Sequence, residues 1–208
     1  MLVSRETSRA LFGSRFPLAE DYAQILRTDG IRRGLIGPRE AARTWERHIL
    51  NCVAIAPALP VGATVVDLGS GAGLPGLVLA IARPDLRVQL VEPLARRSSF
   101  LTETAARLGL ADVQVVRERA ENLHGRVAAD VVTARAVARF DQLARWSLPL
   151  VRPGGALLAI KGERAREELN AAAPGLAALQ AQSWQLETYV VDDVDPPTRV
   201  IRVVRREA

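Results

Sequence analysis

The chain has 208 residues, of which 49% are hydrophobic and 25% are charged, a balance typical of one globular domain with a small extension. It contains no apolar run near the length of about 20 residues that crosses a bilayer. Arg5, Glu6 and Arg9 stand where a signal peptide would have an apolar segment. One cysteine and two histidines exclude an intramolecular disulfide and disfavour a Cys- or His-rich metal site. We therefore expect a cytoplasmic protein without a metal or a membrane segment.

The basic residues are unusual, because Lys161 is the only lysine among 28 Lys and Arg residues. An excess of Arg together with abundant Ala is typical of GC-rich coding, which is the simplest interpretation of this bias. The net charge of +5 permits a nucleic-acid partner but does not demonstrate one.

The first 60 residues have the apolar spacing of helices. Helices are predicted over 18–32 and 41–59, with Pro38 suiting the start of the second. Beyond residue 60, β-rich runs alternate with helical ones. This change in pattern predicts a helical extension at 1–60 and an α/β domain at 61–208.

The elements of the second part follow a repeated βα order. Strands are predicted at 63–68, 87–91, 113–116, 130–134, 156–160, 184–191 and 199–204. Helices are predicted at 74–82, 95–108, 140–150 and 163–180. A turn is predicted at Pro153-Gly154-Gly155, and a helix break at Pro174-Gly175. Repeated βα units that end in a hairpin predict an α/β fold with a doubly wound, seven-stranded sheet and an antiparallel terminal strand.

The strongest local motif is a glycine-rich segment, Asp67-Leu68-Gly69-Ser70-Gly71-Ala72-Gly73, between the first strand and the first helix of this domain. Glycines there allow a tight turn and a close approach of the backbone to a ligand, and a helix N-terminus favours polar or negative groups. Glu92 ends the next strand, where its carboxylate can accept both hydroxyls of a ribose. The pattern predicts an adenosine-type cofactor at the carboxyl ends of a parallel sheet.

Two cofactor classes fit such a loop. Gly71-x-Gly73-x-x-Gly76 formally matches the dinucleotide fingerprint, but that match alone is weak. Asp67 beside the loop does not favour a diphosphate, and Pro75 removes an N–H that could bind one, whereas a carboxylate suits the cationic sulfonium of S-adenosylmethionine. The sequence therefore favours S-adenosylmethionine, with a dinucleotide or a tight turn without a ligand as the alternatives.

Further motifs accompany this loop in a fixed order along most of the chain. They are Arg47-His48-Ile49-Leu50-Asn51, Leu74-Pro75-Gly76, Glu92 with Arg97 and Phe100-Leu101, Arg119-Ala120-Glu121, Thr133-Ala134-Arg135-Ala136 and Lys161-Gly162. In order and spacing this set resembles the bacterial 16S rRNA guanine-N7 methyltransferases, the RsmG or GidB (glucose-inhibited division protein B) family. The chain departs from that family at Asn51-Cys52, where Asp-Ser is usual, and at Gly34-Leu35-Ile36, where Asn-Leu-Thr is usual. Both departures lie in the helical extension, so they concern the detail of an RNA contact there and not the cofactor site.

The resemblance implies a class I, Rossmann-like methyltransferase domain at 61–208. It implies methyl transfer from S-adenosylmethionine to N7 of a guanosine in the 530 loop of 16S rRNA. The partner would be the 16S rRNA within the 30S subunit or an assembly intermediate, and we expect a monomeric enzyme. The implied cofactor-binding residues are Asp67, Gly69, Gly71, Gly73, Leu74, Glu92, Ala120, Glu121 and Arg135.

Guanine N7 has a free lone pair, so its methylation needs orientation and suitable electrostatics but no proton removal. Arg135 and Lys161 are predicted at the ends of the fourth and fifth strands, and we assign them catalytic roles in positioning. The alternatives are an ion pair of Arg135 with Glu121 or Asp67, and a solvated strand end for Lys161. The predicted substrate-binding residues are Arg47, Lys161 and Arg199. The alternative for Arg47 is to cap the sheet domain, and the alternative for Arg199 is a surface ion pair.

Two other functions stay open from the sequence. One is a methyltransferase of the same fold that acts on a small molecule or a protein, and the other is a non-catalytic, cofactor-binding RNA-interaction module. No Asn/Asp-Pro-Pro-aromatic motif follows the fourth strand, which disfavours methylation of an exocyclic amine. Cys52 lies in the helical extension, which disfavours carbon-5 methylation of a pyrimidine.

His48, on an apolar helix face, is predicted to be a core residue with one hydrogen bond.

Overall fold

A computed structural model describes residues 5–192 and 194–207 of the chain. The α-helices are α1 (Arg5–Phe12), α2 (Phe16–Ile25), α3 (Asn51–Val53), α4 (Gly76–Ala82), α5 (Ala95–Arg107), α6 (Phe140–Ser147) and α7 (Ala165–Leu176). The strands are β1 (Thr64–Leu68), β2 (Arg87–Val91), β3 (Val113–Val116), β4 (Ala129–Arg135), β5 (Val151–Lys161), β6 (Ala181–Tyr189) and β7 (Thr198–Arg205).

The seven strands form one sheet in the order β3-β2-β1-β4-β5-β7-β6. The first five strands of this order are parallel, and β7 runs antiparallel to both of its neighbours. The predicted doubly wound, seven-stranded sheet is therefore confirmed. The antiparallel strand is the last one of the chain, and it lies one place inside the edge because β6 pairs on its outer side.

Helices cover both faces of this sheet and give the protein two hydrophobic layers. One layer packs α2, α4 and α5 against one face, and the other packs α6 and α7 against the opposite face. Central strands are buried on both faces, which explains apolar runs such as Val65-Val66 in β1 and Ala156–Ile160 in β5. Because the parallel strands share one direction, the carboxyl ends of β1, β2, β4 and β5 meet along one edge of the sheet.

The N-terminal helices belong to the first of these layers. Tyr22, Ile25 and Leu26 are almost completely buried and pack in the same cluster as Leu77 and Val78 of α4. The helices before β1 therefore share a core with the sheet.

Several predicted boundaries are wrong in detail. The helix predicted over 41–59 is a series of short segments: a 3-10 turn at Pro38–Arg43, a π-helical turn at Thr44–Leu50, α3 and a second 3-10 turn at Ala56–Ala58. The break predicted at Pro174-Gly175 is also wrong, because α7 continues to Leu176. Proline removes one helical hydrogen bond, and this loss is tolerated here because it falls in the last turn.

The turn predicted at Pro153-Gly154-Gly155 is a bulge inside a longer strand. The strand β5 begins at Val151, opposite Ala129 of β4, and the register then shifts so that Ala156 lies opposite Val131. Gly154 has a left-handed φ of 73°, which glycine adopts without a steric penalty. The proline and glycines therefore bend the strand without ending it.

Candidate active site at the carboxyl ends of the strands

The glycine-rich loop lies between β1 and α4, at the edge where the parallel strands end. The amides of Gly69 and Ser70 both donate to the carbonyl of Val91, at the end of β2. Gly73 has a φ of 96°, and a Cβ there would lie 2.4 Å from a methyl group of Leu77. Only glycine fits this position, so the loop follows a path that the sequence motif itself requires.

Glu92 fixes the same loop from the end of β2. Its carboxylate accepts hydrogen bonds from the amides of Gly71, at 3.1 Å, and of Leu94, at 3.0 Å, one at each oxygen. The guanidinium of Arg97 lies 3.8 Å from the Glu92 carboxylate. Each carboxylate oxygen can accept a further hydrogen bond, so Glu92 is held in place and still has acceptor capacity for a ligand.

Asp67 is completely buried beneath the loop at the end of β1. Its Oδ2 accepts a hydrogen bond of 3.0 Å from the amide of Gly76, at the start of α4. Its Oδ1 makes no hydrogen bond within residues 5–192 and 194–207. Burial raises the pKa of Asp67 to about 7, against the opposing effect of the Gly76 hydrogen bond. A ligand cation near the loop would favour the charged form of this carboxylate.

Tyr22 connects the helical extension to the glycine-rich loop. Its side chain is fully buried in α2, and its hydroxyl donates a hydrogen bond of 2.8 Å to the carbonyl of Ala72. A Cβ at Gly73 would lie 2.9 Å from the same hydroxyl. The extension therefore contacts the loop directly.

Replacing Tyr22 with phenylalanine tests this connection. We expect Tyr22→Phe to lower the free energy of unfolding by about 1–2 kcal/mol, because the Ala72 carbonyl loses its buried donor. Urea unfolding followed by circular dichroism measures the change. Tyr189→Phe is the control, since the Tyr189 hydroxyl also donates a hydrogen bond, to the carboxylate of Glu187, but is only partly buried, so water can take its place. Equal stabilities of the wild type and Tyr22→Phe would contradict the proposed contact.

The other predicted cofactor residues lie around this loop. Leu74 is nearly buried at the entrance to α4. Ala120 and Glu121 begin a 3-10 turn, Ala120–Leu123, that follows β3; Ala120 is buried and Glu121 is exposed. Because β3 pairs with β2 in parallel, this turn lies on the same edge as Glu92.

Arg135 ends β4 and points into the helical extension. Its guanidinium lies 2.7 Å from Nδ1 of His48, and it donates to the His48 carbonyl at 3.4 Å and to Sγ of Cys52 at 3.2 Å. The alternative of an ion pair with Glu121 or Asp67 is therefore wrong. Cys52, part of the Asn51-Cys52 departure from the family pattern, supplies an acceptor for Arg135.

His48 is buried, as predicted for a core histidine, but it makes more contacts than the single hydrogen bond expected. Burial and the adjacent Arg135 guanidinium lower the pKa of His48 to about 4. The ring is therefore neutral at pH 7, and Nδ1 accepts from Arg135. Its Nε2 lies 3.2 Å from the carboxylate of Glu40, which also lies 3.4 Å from the exposed Arg47 side chain.

A cavity of about 900 Å³ opens beside these residues, between the extension and the ends of β4, β5 and β7. The basic residues that line it include Arg43, Arg47, Arg135, Lys161 and Arg199. The predicted substrate residues Arg47, Lys161 and Arg199 are therefore brought together with Arg135. Asn51, in the same departure from the family pattern as Cys52, also lines the cavity and accepts a hydrogen bond from the Thr198 hydroxyl.

Lys161 lies at the end of β5 with only 7% of its side chain exposed. Its ammonium donates to the carbonyl of Ala138 and to the carboxylate of Glu168, both at 2.7 Å. The alternative of a solvated strand end is therefore wrong. Arg199 lies opposite Lys161 on β7, so the two cations face one mouth of the cavity.

The part of the chain that the structure describes contains neither a cluster of metal ligands nor a membrane-spanning helix. No group of three or more His, Cys, Asp or Glu side chains there could hold a metal ion. None of the described helices is long and apolar enough to cross a membrane.

Comparison with known proteins decides the family. The family model described as GidB, rRNA small subunit methyltransferase G, matches residues 15–193. A ribosomal RNA small subunit methyltransferase G of Salinispora tropica is 55% identical over 95% of this chain and 85% of its own length. The protein of the same name from Thermobifida fusca is 52% identical over 97% of this chain and 85% of its own.

The chain belongs to the rRNA small subunit methyltransferase G family. The resemblance predicted from the motifs is thereby confirmed, and so is the assignment as a ribosomal RNA methyltransferase. A methyltransferase requires a methyl donor, which must bind in the folded protein. This membership does not support the alternatives of a small-molecule enzyme or a non-catalytic module.

Solved structures of low sequence identity share the fold of this chain. A methyltransferase from Pyrococcus furiosus superposes with a TM-score of 0.60 at 14% identity, over 76% of this chain and 82% of its own. A putative rRNA-methylase from Clostridium thermocellum superposes with a TM-score of 0.54 at 17% identity, over 78% and 98% of the two chains. These likenesses confirm the Rossmann-like methyltransferase fold.

Three residues near the site of this methyltransferase were not predicted from the sequence: Tyr22, Val137 and Glu168. Tyr22 lies on the apolar face of the helix predicted over 18–32, a position that by itself indicates only burial. Val137 packs directly against Gly69, because a Cβ on that glycine would lie 2.8 Å from Cγ2 of Val137. Glu168 contacts Lys161 from a helix seven residues further along the chain. Each acts through a contact between distant elements, for which no local sequence motif exists.

Proposed function

We propose that the protein transfers the methyl group of S-adenosylmethionine to N7 of a guanosine in the 530 loop of 16S rRNA. One observation carries this proposal beyond the family assignment. The glycine-rich loop and a basic cavity of about 900 Å³ lie on either side of Val137, which lines the cavity and packs against Gly69 at the carboxyl ends of the parallel strands. A cofactor on the loop and a nucleotide in the cavity would therefore meet at that edge.

The residues of the loop fit S-adenosylmethionine. Glu92 keeps acceptor capacity on both carboxylate oxygens while two backbone amides hold it, which suits the two hydroxyls of a ribose. Asp67 has a buried oxygen without a hydrogen bond in the described residues, close to the loop, which favours a cationic ligand over a diphosphate. We assign Gly69, Gly71, Gly73, Leu74, Ala120 and Glu121 to the same site. When bound, S-adenosylmethionine supplies an electrophilic methyl group.

The cavity fits a nucleotide of the rRNA. The ammonium of Lys161 has three N–H groups, of which two are used by Ala138 and Glu168. The third is available to an oxygen of the target base or of a phosphate. Arg47 and Arg199, at the rim, are assigned to RNA phosphates.

These roles agree with the chemistry of guanine N7. The N7 lone pair attacks without deprotonation, so the site needs no general base. Arg135 is held by His48 and Cys52 beside the cavity, and we assign it to shaping the junction between cofactor and base. A cation in direct contact with N7 would oppose attack, so both Arg135 and Lys161 act by positioning.

Methyl transfer to undermethylated 30S subunits tests the function. Purified protein is incubated with methyl-labelled S-adenosylmethionine and 30S subunits from a strain that lacks the corresponding enzyme. Mass spectrometry of nuclease fragments is expected to locate one 7-methylguanosine in the 530 loop. Label found only in protein, in small molecules or at another nucleotide would contradict the proposal.

The raised pKa of Asp67 predicts a pH-dependent affinity for the cofactor. As pH rises through about 7, Asp67 loses its proton, and its charge then favours the sulfonium cation. We expect the affinity for S-adenosylmethionine to increase from pH 6 to pH 8 by up to about tenfold. Isothermal titration calorimetry measures this trend.

The product S-adenosylhomocysteine is the control for this prediction, because its thioether is neutral and should show a weaker pH dependence. Asp67→Asn should also flatten the curve for S-adenosylmethionine. Parallel pH curves for the two ligands would contradict the role given to Asp67.

The predicted monomer, the division at residue 60 and the cytoplasmic location stay predictions.

A further inference from the structure

We infer that Glu168 is a positioning residue for methyl transfer. It holds Lys161 and the segment 136–139 against the glycine-rich loop. The inference rests on the proposed function of Lys161. Glu168 lies in the first turn of α7, outside every sequence motif of the site. Its carboxylate borders the cavity.

One carboxylate oxygen of Glu168 makes two contacts. It accepts a hydrogen bond of 2.7 Å from the Lys161 ammonium and one of 2.9 Å from the backbone amide of Phe140. Phe140 is the first residue of α6, so Glu168 caps that helix from a different helix. Charge-assisted hydrogen bonds of this kind are stronger and more directional than neutral ones.

The burial of Lys161 explains why this partner matters. A buried ammonium requires a counter-charge, and 93% of this side chain is shielded from solvent. Arg199, directly opposite on β7, is a like charge and cannot supply it. The Lys161 ammonium also lies 6.0 Å from the centre of the Phe140 ring. The same cation is therefore close to Ala138, in the segment before α6, and to Phe140, the first residue of α6.

The segment 136–139 transmits this placement to the cofactor loop. Lys161 holds it at the Ala138 carbonyl, and Glu168 holds its end at the Phe140 amide. Ala136 has a φ of 55°, an uncommon conformation for a residue with a Cβ. Val137 then packs on Gly69, where a Cβ would lie 2.8 Å from its side chain. Glu168 thereby fixes the position of Val137, which lies between the glycine-rich loop and the cavity.

A double-mutant cycle on 30S methylation tests the inference. We expect Glu168→Gln to lower kcat roughly tenfold while the Kd for S-adenosylmethionine stays within about twofold, because the loop itself is unchanged. In a Lys161→Ala background, Glu168→Gln should lower kcat by less than about twofold further, since its partner is gone. Glu167→Gln is the matched control: its exposed carboxylate lies on the same turn and pairs with Arg164.

Multiplicative losses of kcat in the cycle would overturn the inference, because Glu168 would then act independently of Lys161. Hydrogen exchange gives a readout that does not depend on activity. Glu168→Ala should speed exchange of the Phe140 amide at least tenfold relative to Glu167→Gln, and equal rates would also overturn the inference. An inactive wild type would refute the proposed function alone, because the exchange rates would still show whether Glu168 holds the segment.

Discussion

Lys161→Ala is expected to lower kcat for methylation of 30S subunits by about 100-fold and to change the Kd for S-adenosylmethionine by less than about threefold. The substitution removes the N–H assigned to the substrate. It also releases the carbonyl of Ala138 and leaves the Glu168 carboxylate without its cation. The hydrogen bonds of Glu92 with the Gly71 amide and of Asp67 with the Gly76 amide are made by residues of other strands and stay in place.

Labelled methyl transfer and calorimetry separate the two effects. Lys161→Arg is the informative companion, because it keeps the positive charge but places a larger, planar group in a buried position. We expect Lys161→Arg to stay well below the wild type in kcat. Unchanged turnover of Lys161→Ala would show that Lys161 has no part in catalysis.

The sheet was predictable from the sequence because its strands and helices have strong local patterns. Short apolar runs such as Thr64–Leu68 and Arg87–Val91 are bounded by glycines and prolines, and each is followed by a helical period. The glycine-rich loop was predictable for a related reason. Positions such as Gly73 admit only glycine, so the motif itself indicates the backbone conformation of the loop.

The helical extension was predicted less well. Apolar spacing indicated one helix over 41–59, whereas the chain forms π-helical and 3-10 turns there. Helical periodicity reports which face is buried but cannot distinguish between turn types of similar pitch. The π-helical turn at Thr44–Leu50 includes His48, the partner of Arg135, so its shape is set by packing against the strand ends.

The partners of the predicted cations were not accessible from the sequence. Arg135 and Lys161 were placed at strand ends by topology alone. Their contacts depend on which helix packs over each end: the extension brings His48 and Cys52, and α7 brings Glu168. These contacts join residues 7 to 87 positions apart, which no local motif specifies. The sequence therefore locates the charged residues, and tertiary packing determines what each one does.

Gly76→Ala is expected to weaken the binding of S-adenosylmethionine by at least about 100-fold and to destabilise the fold by about 1–3 kcal/mol. A Cβ at this position would lie 2.3 Å from a methyl group of the buried Leu90, and 2.7 Å and 2.9 Å from Oδ2 and Cβ of Asp67. No flexible side chain can move aside, because both neighbours are completely buried in central strands. The substitution would therefore displace Asp67 and separate it from the Gly76 amide.

Gly175→Ala is the matched control for this effect. Gly175 lies in α7, and a Cβ there would meet nothing within 4 Å. In a helix, alanine is favoured over glycine by about 1 kcal/mol, so this variant should be as stable as the wild type or more so. Thermal unfolding gives the two stabilities, and calorimetry should give a Kd for S-adenosylmethionine at least about 100-fold weaker in Gly76→Ala alone. Wild-type affinity in Gly76→Ala would mean that the contact between Asp67 and the start of α4 does not shape the cofactor site.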